Sequence, residues 1–140
     1  MVVEFSIVKE ADPQQIKELF AEGGWWNDEN DKIEFFVQSL IKNTFLFAVA
    51  KYDGRIVGMG RVLSEGISDA YIQDVVVLKD FRKQGIGGGI IRLLLKELLD
   101  RKISWIGLIS VPGAENFYKE IGFEVMQDYT PFIYKKKDVN

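Results

Sequence analysis

Val75-Val76-Val77-Leu78-Lys79-Asp80-Phe81-Arg82-Lys83-Gln84-Gly85-Ile86-Gly87-Gly88-Gly89 is the stretch on which the reading of this fold turns. Three successive valines predict a strand buried on both faces, as strands with a parallel neighbour usually are. Ile86, Ile90, Ile91, Leu94, Leu95 and Leu98 then fall on one side of a helix running to about Asp100. Glycine inside a helix costs about 1 kcal/mol relative to alanine. Gly85, Gly87, Gly88 and Gly89 at the head of this one therefore need a reason. The free N–H groups and positive dipole end of a helix start favour an anion. Glycines let a phosphate reach the backbone without meeting a Cβ, and Arg82 and Lys83 add positive charge. The segment predicts a diphosphate cradle built from Arg82, Lys83 and the backbone of Gln84, Gly85, Ile86, Gly87 and Gly88. A close helix–strand contact without a ligand would account for the glycines but not for the basic pair. Two other phosphate cradles are excluded. A dinucleotide fingerprint needs a third glycine where Ile90 stands, and a P-loop needs a Gly-Lys-Ser or Gly-Lys-Thr that does not occur.

Working outward, the remaining elements alternate as in a mixed α/β domain. Val3 to Val8 reads as an edge strand. Asp12-Pro13-Gln14-Gln15 is a helix start, with a capping carboxylate, Pro at the first helical position and Gln at the reciprocal capping site. A second helix is expected from about Asp31, where Ile33, Phe36, Val37, Leu40 and Ile41 keep helical spacing. Asp53-Gly54 between Phe45–Lys51 and Arg55–Leu63 predicts a hairpin. Ala70–Leu78 and Ser104–Val111 read as further strands, followed by a short helix from Ala114 to Glu120 that Gly122 ends. Phe123–Met126 and Phe132–Lys135 read as closing strands. Between the first two helices, Gly23-Gly24-Trp25-Trp26 leaves two readings: helix packing, or an aromatic wall over a substrate pocket to which Tyr71 on the later strand would also belong.

The bulk properties narrow the chemistry. The 140 residues suit one domain, 1–140. With 47% hydrophobic and 28% charged residues, the composition is that of a globular protein. A net charge of −3 argues against a nucleic-acid partner. Neither a membrane-spanning run nor a signal-peptide pattern is present, which makes a cytoplasmic location and no membrane partner the expectation. With no cysteine and no histidine, thiolate catalysis, zinc–thiolate sites and imidazole acid–base chemistry are excluded, and no metal is expected.

The Arg82-x-x-Gly85-x-Gly87 turn after a valine-rich strand resembles the signature of the GNAT superfamily of N-acetyltransferases. A second stretch, Ala114-Glu115-Asn116-Phe117-Tyr118-Lys119-Glu120-Ile121-Gly122-Phe123, is similar to the family's Ala-x-x-Phe-Tyr-x-x-x-Gly-Phe segment. The resemblance covers roughly Phe45 to Phe123. It implies a mixed central sheet with a splayed parallel strand pair, helices on both faces, and acetyl-CoA as co-substrate. Pantetheine would lie along the opened strand, pairing with the backbone at Val75, Val76 and Val77. Direct attack by an amine on the thioester follows, with Tyr118 matching the usual tyrosine that protonates the departing thiolate.

Two departures stand out. Many relatives carry Glu where this chain has Gln73, so a water chain ending on a carboxylate is expected instead, with Asp74 first and Glu65 and Asp69 as the other near carboxylates. Asp74 would face away from Gln73 in a regular strand unless a bulge re-aims it. Relatives also often have Asn where Val111 stands, and Asn116 is the candidate replacement. The stretch Gly58-Met59-Gly60-Arg61-Val62-Leu63-Ser64, with Trp25-Trp26, is similar to members that act on arylalkylamines. The expected acceptor is therefore a small primary amine. Acetylation of a protein amine and a non-catalytic CoA-binding module remain as alternatives, and a homodimer is possible.

Overall fold

Two residues with positive φ, Asp53 at 50° and Gly54 at 80°, close the hairpin between β2 (Leu46–Tyr52) and β3 (Arg55–Ser64), with Tyr52 opposite Arg55. This is the tight turn that an Asp-Gly pair favours. The computed structural model describes residues 1–26 and 32–137; Asn27, Asp28, Glu29 and the expected helix start at Asp31 lie outside them. The other elements are β1 (Val3–Ile7), α1 (Pro13–Glu22), α2 (Ile33–Asn43), β4 (Asp69–Val77), a short 3-10 turn (Lys79–Phe81), α3 (Ile86–Asp100), β5 (Trp105–Leu108) and α4 (Glu115–Ile121). The chain divides into two units, Met1–Leu108 and Ile109–Asn140.

In the first unit one sheet runs in the order β1-β2-β3-β4-β5, antiparallel throughout except for the parallel pair β4–β5. Asp12 caps α1 by accepting from Gln14 N at 2.9 Å and Gln15 N at 3.2 Å. The reciprocal cap from Gln15 does not form. Its Oε1 accepts from Ile56 N at 2.7 Å, a bond that ties α1 to β3. The buried strand–helix contact is stronger competition for that amide than an exposed helix start.

Ile86, Ile90, Ile91, Leu94 and Leu98 of α3 are buried on the sheet. They reach it because β3 carries Gly58 and Gly60 beneath them. A Cβ on Gly58 would come within 2.9 Å of Ile90 Cδ1, and one on Gly60 within 2.8 Å of Ile90 Cγ2. Those glycines bring α3 close enough to set its N-terminus at the end of β4. Residues of opposite phase on β3 face α1 and α2, as the contact from Arg61 to Thr44 at the end of α2 shows. Helices thus cover both faces. No helix among the described residues is long and apolar enough to cross a membrane.

The second unit contains α4, ended by Gly122 at φ 118°, with Gly122 N bonded to Lys119 O and Phe123 N to Tyr118 O. The strands expected at Phe123–Met126 and Phe132–Lys135 are not formed, and Phe132, Ile133 and Tyr134 are 82–91% exposed. A strand exists only by pairing, and this unit offers no strand to pair with among its described residues. β5 is likewise shorter than the expected Ser104–Val111.

Candidate active site

The site begins where the parallel ladder ends. Pairing of β4 with β5 runs from Asp69–Trp105 to Ile72–Leu108 and stops. Gln73 to Val77 continue with β3 on one side and no strand on the other among the described residues. That edge carries amide groups in need of partners. It leads through the 3-10 turn into the head of α3. Val76 is buried while Val75 and Val77 are half-buried, so the three valines serve the core and flank the open edge together.

At the head of α3, Gly85 is the cap residue in the left-handed region (φ 81°), and no side chain caps the helix. The first-turn N–H groups at Ile86, Gly87 and Gly88 have no partner within the helix. Nothing lies within 4 Å of a Cβ built on Gly85. Lys83 (φ 62°) and Gln84 are exposed on the same turn. An anion can approach this backbone from solvent, so the residues present fit a phosphate group.

The other members of the glycine run have separate reasons. A Cβ on Gly89 would fall 2.3 Å from Phe5 Cζ, so Gly89 makes room for β1. At Gly88 the Arg92 guanidinium would stand 2.7 Å away. The basic pair divides too. Arg82 Nε donates to Val77 O at 3.0 Å, and its Nη2 lies 3.8 Å from Glu22 Oε1, which also accepts from Lys79 N at 2.6 Å. Arg82 thus fastens the turn to the end of β4 and to α1, whereas Lys83 projects from it.

A second cluster surrounds Gln73. On β4, Asp74 and Val75 stand against the single residue Gly60, because Arg61 pairs with Gln73 and Met59 with Val76. Asp74 takes a left-handed φ of 55° at this bulge. The bulge turns its carboxylate to the side of Gln73, where both side chains meet Arg61. Its Oδ2 accepts from Arg61 Nε at 2.5 Å, with the two side chains 20% and 14% exposed. Arg61 also reaches Gln73 Oε1 and Thr44 Oγ1, each at 3.4 Å. The sequence places Arg61 only within the Gly58–Ser64 stretch and assigns it no role. Its signal was an arginine inside an apolar strand, a charge that needs a partner when buried.

Arg61 forms one wall of a cavity of about 600 Å³, with Phe35, Phe36, Leu40, Thr44 and Leu63 around it. Among the described residues Trp25 and Trp26 do not line it. They pack against the first two helices: Trp25 edge-on to Phe20 at 6.0 Å between centroids, and Trp26 edge-on to Phe36 at 5.5 Å with the Lys17 ammonium 5.6 Å from its ring. Tyr71 is half-exposed on β4 and stacks at a tilt on Trp105, 5.0 Å away.

Of the other carboxylates, Glu65 is committed to the β3–β4 loop. Its Oε1 accepts from Ser68 N at 2.7 Å, Asp69 N at 3.0 Å and Ile67 N at 3.3 Å. The Ser68 and Asp69 N–H groups hold its pKa down to about 2, from 4.5. A lowered folded-state pKa means a contribution fully present above pH 4.5 and lost as pH falls toward 2. The Ser68 amide resonance should titrate with a midpoint near 2 and lose that titration in Glu65→Gln. A midpoint near 4.5 would show that the loop is not held by this carboxylate.

In the second unit, Tyr118 is half-buried between Phe117 and Phe123, with centroids 4.9 and 5.8 Å away. Burial raises its phenol pKa above 10.0, so it stays protonated throughout the neutral range. Asn116 is exposed on α4.

Residues 11–132 match the acetyltransferase (GNAT) domain. The chain is 28% identical over 109 residues to the uncharacterized N-acetyltransferase ycf52 of Pyropia yezoensis, covering 78% of this chain and 63% of that protein. It is 29% identical over 131 residues to the histone acetyltransferase TAP1 of Glycine max, covering 86% and 55%. This chain thus spans between about half and two-thirds of those relatives' length. The fold matches that of the GNAT family acetyltransferase SP0256 from Streptococcus pneumoniae TIGR4, with a TM-score of 0.80, 22% identity and coverage of 98% of this chain and 100% of the other. An open strand edge running into a helix start capped by the left-handed Gly85, and a family match over most of the sequence, lead to one assignment: this chain belongs to the GNAT acetyltransferase family.

Proposed function

We propose that this protein transfers the acetyl group of acetyl-CoA to a primary amine by direct attack, and that the acceptor is a small molecule. The observation that carries the reading is the continuity of two complementary surfaces. The edge of Gln73–Val77, which no strand among the described residues pairs and where Arg82 takes only the Val77 carbonyl, suits the amides of pantetheine, and the head of α3 just beyond suits a pyrophosphate. Lys83 adds charge there.

Three tasks define the chemistry. An alkylamine with pKa near 10.4 is only about 0.1% free base or less at pH 7, so its proton must leave before attack. Gln73 orients a water, and Asp74 receives the proton through it; its second oxygen has no partner among the described residues. The thioester oxygen, gaining charge as the amine nitrogen bonds to carbon, takes a hydrogen bond from a backbone N–H of the β4 edge. The C–S bond breaks and the thiolate takes its proton from Tyr118, whose burial keeps that proton in place until then.

The cavity beside Arg61, with Phe35, Phe36 and Leu63, supports an acceptor with a compact apolar or aromatic body. Tyr71, opposite Leu63 in the β3–β4 ladder, extends the aromatic surface on the acceptor side, whereas Trp25 and Trp26 stay packed against the first two helices. A protein lysine is the second reading, favoured by the likeness to the Glycine max histone acetyltransferase. Turnover followed by CoA thiol release, with arylalkylamines, polyamines and lysine peptides in parallel, separates the two. A protein without cysteine adds no background thiol.

CoA at 100 times its dissociation constant should stabilise the protein by about 2.7 kcal/mol, because a ligand of the folded state alone shifts unfolding by mass action. A scanning-calorimetry shift without turnover on any amine would identify a CoA-binding module. No shift at millimolar CoA would remove the cradle reading.

A further inference from the structure

We infer that Arg61 is a positioning residue that holds the β4 bulge in shape through Asp74, and so sets which backbone amides face the open edge. The inference rests on the reading of that edge as the acetyl-CoA site, although its central measurement does not need turnover. Three observations carry it. Asp74 stands in a left-handed conformation (φ 55°) that is uncommon for a non-glycine residue inside a strand. Its carboxylate is held by Arg61 Nε at 2.5 Å, largely shielded from water. The far end of the same guanidinium spans Gln73 on one side and Thr44 on the other. Thr44 is only 6% exposed and is anchored in turn by its hydroxyl, which donates to Leu40 O at 2.6 Å. Arg61 is therefore a brace between the end of α2 and the bulge.

The bulge matters because strand residues alternate in the side to which their N–H and C=O groups turn. One extra residue on β4 inverts that alternation for everything after it. Ala70 and Ile72, before Asp74, share a face with Val75 and Val77 after it, a phase change a regular strand cannot make; Val75 Cγ2 lies 3.3 Å from the Cβ position of Gly60 on the α3 side. Without the brace, the strand can relax toward regular pairing and turn the wrong amides to the edge.

The test combines Arg61→Gln, Asp74→Asn and the double variant, with Arg61→Lys as the conservative change that keeps the charge but loses the fork. Amide hydrogen exchange is read along residues 73–77 and along α3. Exchange at 73–77 should accelerate by about tenfold or more in Arg61→Gln and Asp74→Asn alike, with α3 unchanged, as for a local opening. The double variant should match the worse single one, because the two residues act as one unit. In acetyl transfer, kcat/KM for acetyl-CoA should fall by about 100-fold, the scale for misplaced groups, with KM raised as well as kcat lowered because the same amides hold pantetheine. Arg61→Lys should recover part of both effects. Unaltered exchange at 73–77 in Arg61→Gln overturns the inference even if kcat falls. Losses in Asp74→Asn alone also overturn it, because Asp74 would then act only as a proton acceptor. If wild type shows no turnover, the acetyl-transfer reading fails while the exchange measurement still decides the role of Arg61.

Discussion

Gly87→Val is expected to abolish measurable CoA binding while leaving the fold intact. Gly87 is the second residue of α3, in the turn whose N–H groups face outward from the left-handed cap at Gly85. A branched side chain there stands between those donors and an incoming phosphate. Hydrogen bonds to a charged group contribute about 1.5–3 kcal/mol each, so losing two lowers affinity by about 10²–10⁴-fold. Valine is a better helix former than glycine by a few tenths of a kcal/mol, roughly, so the melting temperature should hold or rise slightly. Calorimetric titration with CoA and a thermal melt of the same variant check both halves. Retained affinity would show that the glycine run serves packing alone, as Gly89 does beneath Phe5.

Tyr118→Phe should lower kcat by about 10²–10⁴-fold, the range for loss of a general acid. The ring contacts with Phe117 and Phe123 are kept, so the melting temperature should barely change. The pH profile supplies a second readout. Burial raises the phenol pKa above 10.0, so the acid is present through neutral pH and lost only on the alkaline side. Wild-type kcat should therefore carry an alkaline limb above pH 10 that the phenylalanine variant lacks. A loss of only a few-fold, with the limb retained, assigns the proton to water.

Much of this protein was legible without coordinates, and the legible parts share a property: each depends on a few adjacent residues. The cap at Asp12, the Asp53–Gly54 turn, the left-handed Gly122 and the α3 start at Ile86 follow from local φ/ψ preferences and side-chain reach. The order of elements and the strand–turn–helix of the cradle follow from hydrophobic period, which is also local.

Tertiary structure alone decided what each side chain meets. Gln15 could cap its own helix or reach β3, and it reaches β3. Asp74 points to the side of Gln73 only because β4 bulges against Gly60, and Arg61, 13 positions away, takes its carboxylate. Arg82 and Lys83 look equivalent in sequence, yet one is tied to Val77 and Glu22 while the other projects from the turn. The strand-prone residues at 123–126 and 132–135 lack a ladder in their own unit and stay irregular. Local sequence sets the conformation a few residues prefer; which distant groups compete for a donor or an edge is settled by packing, where burial makes an unpaired polar group costly.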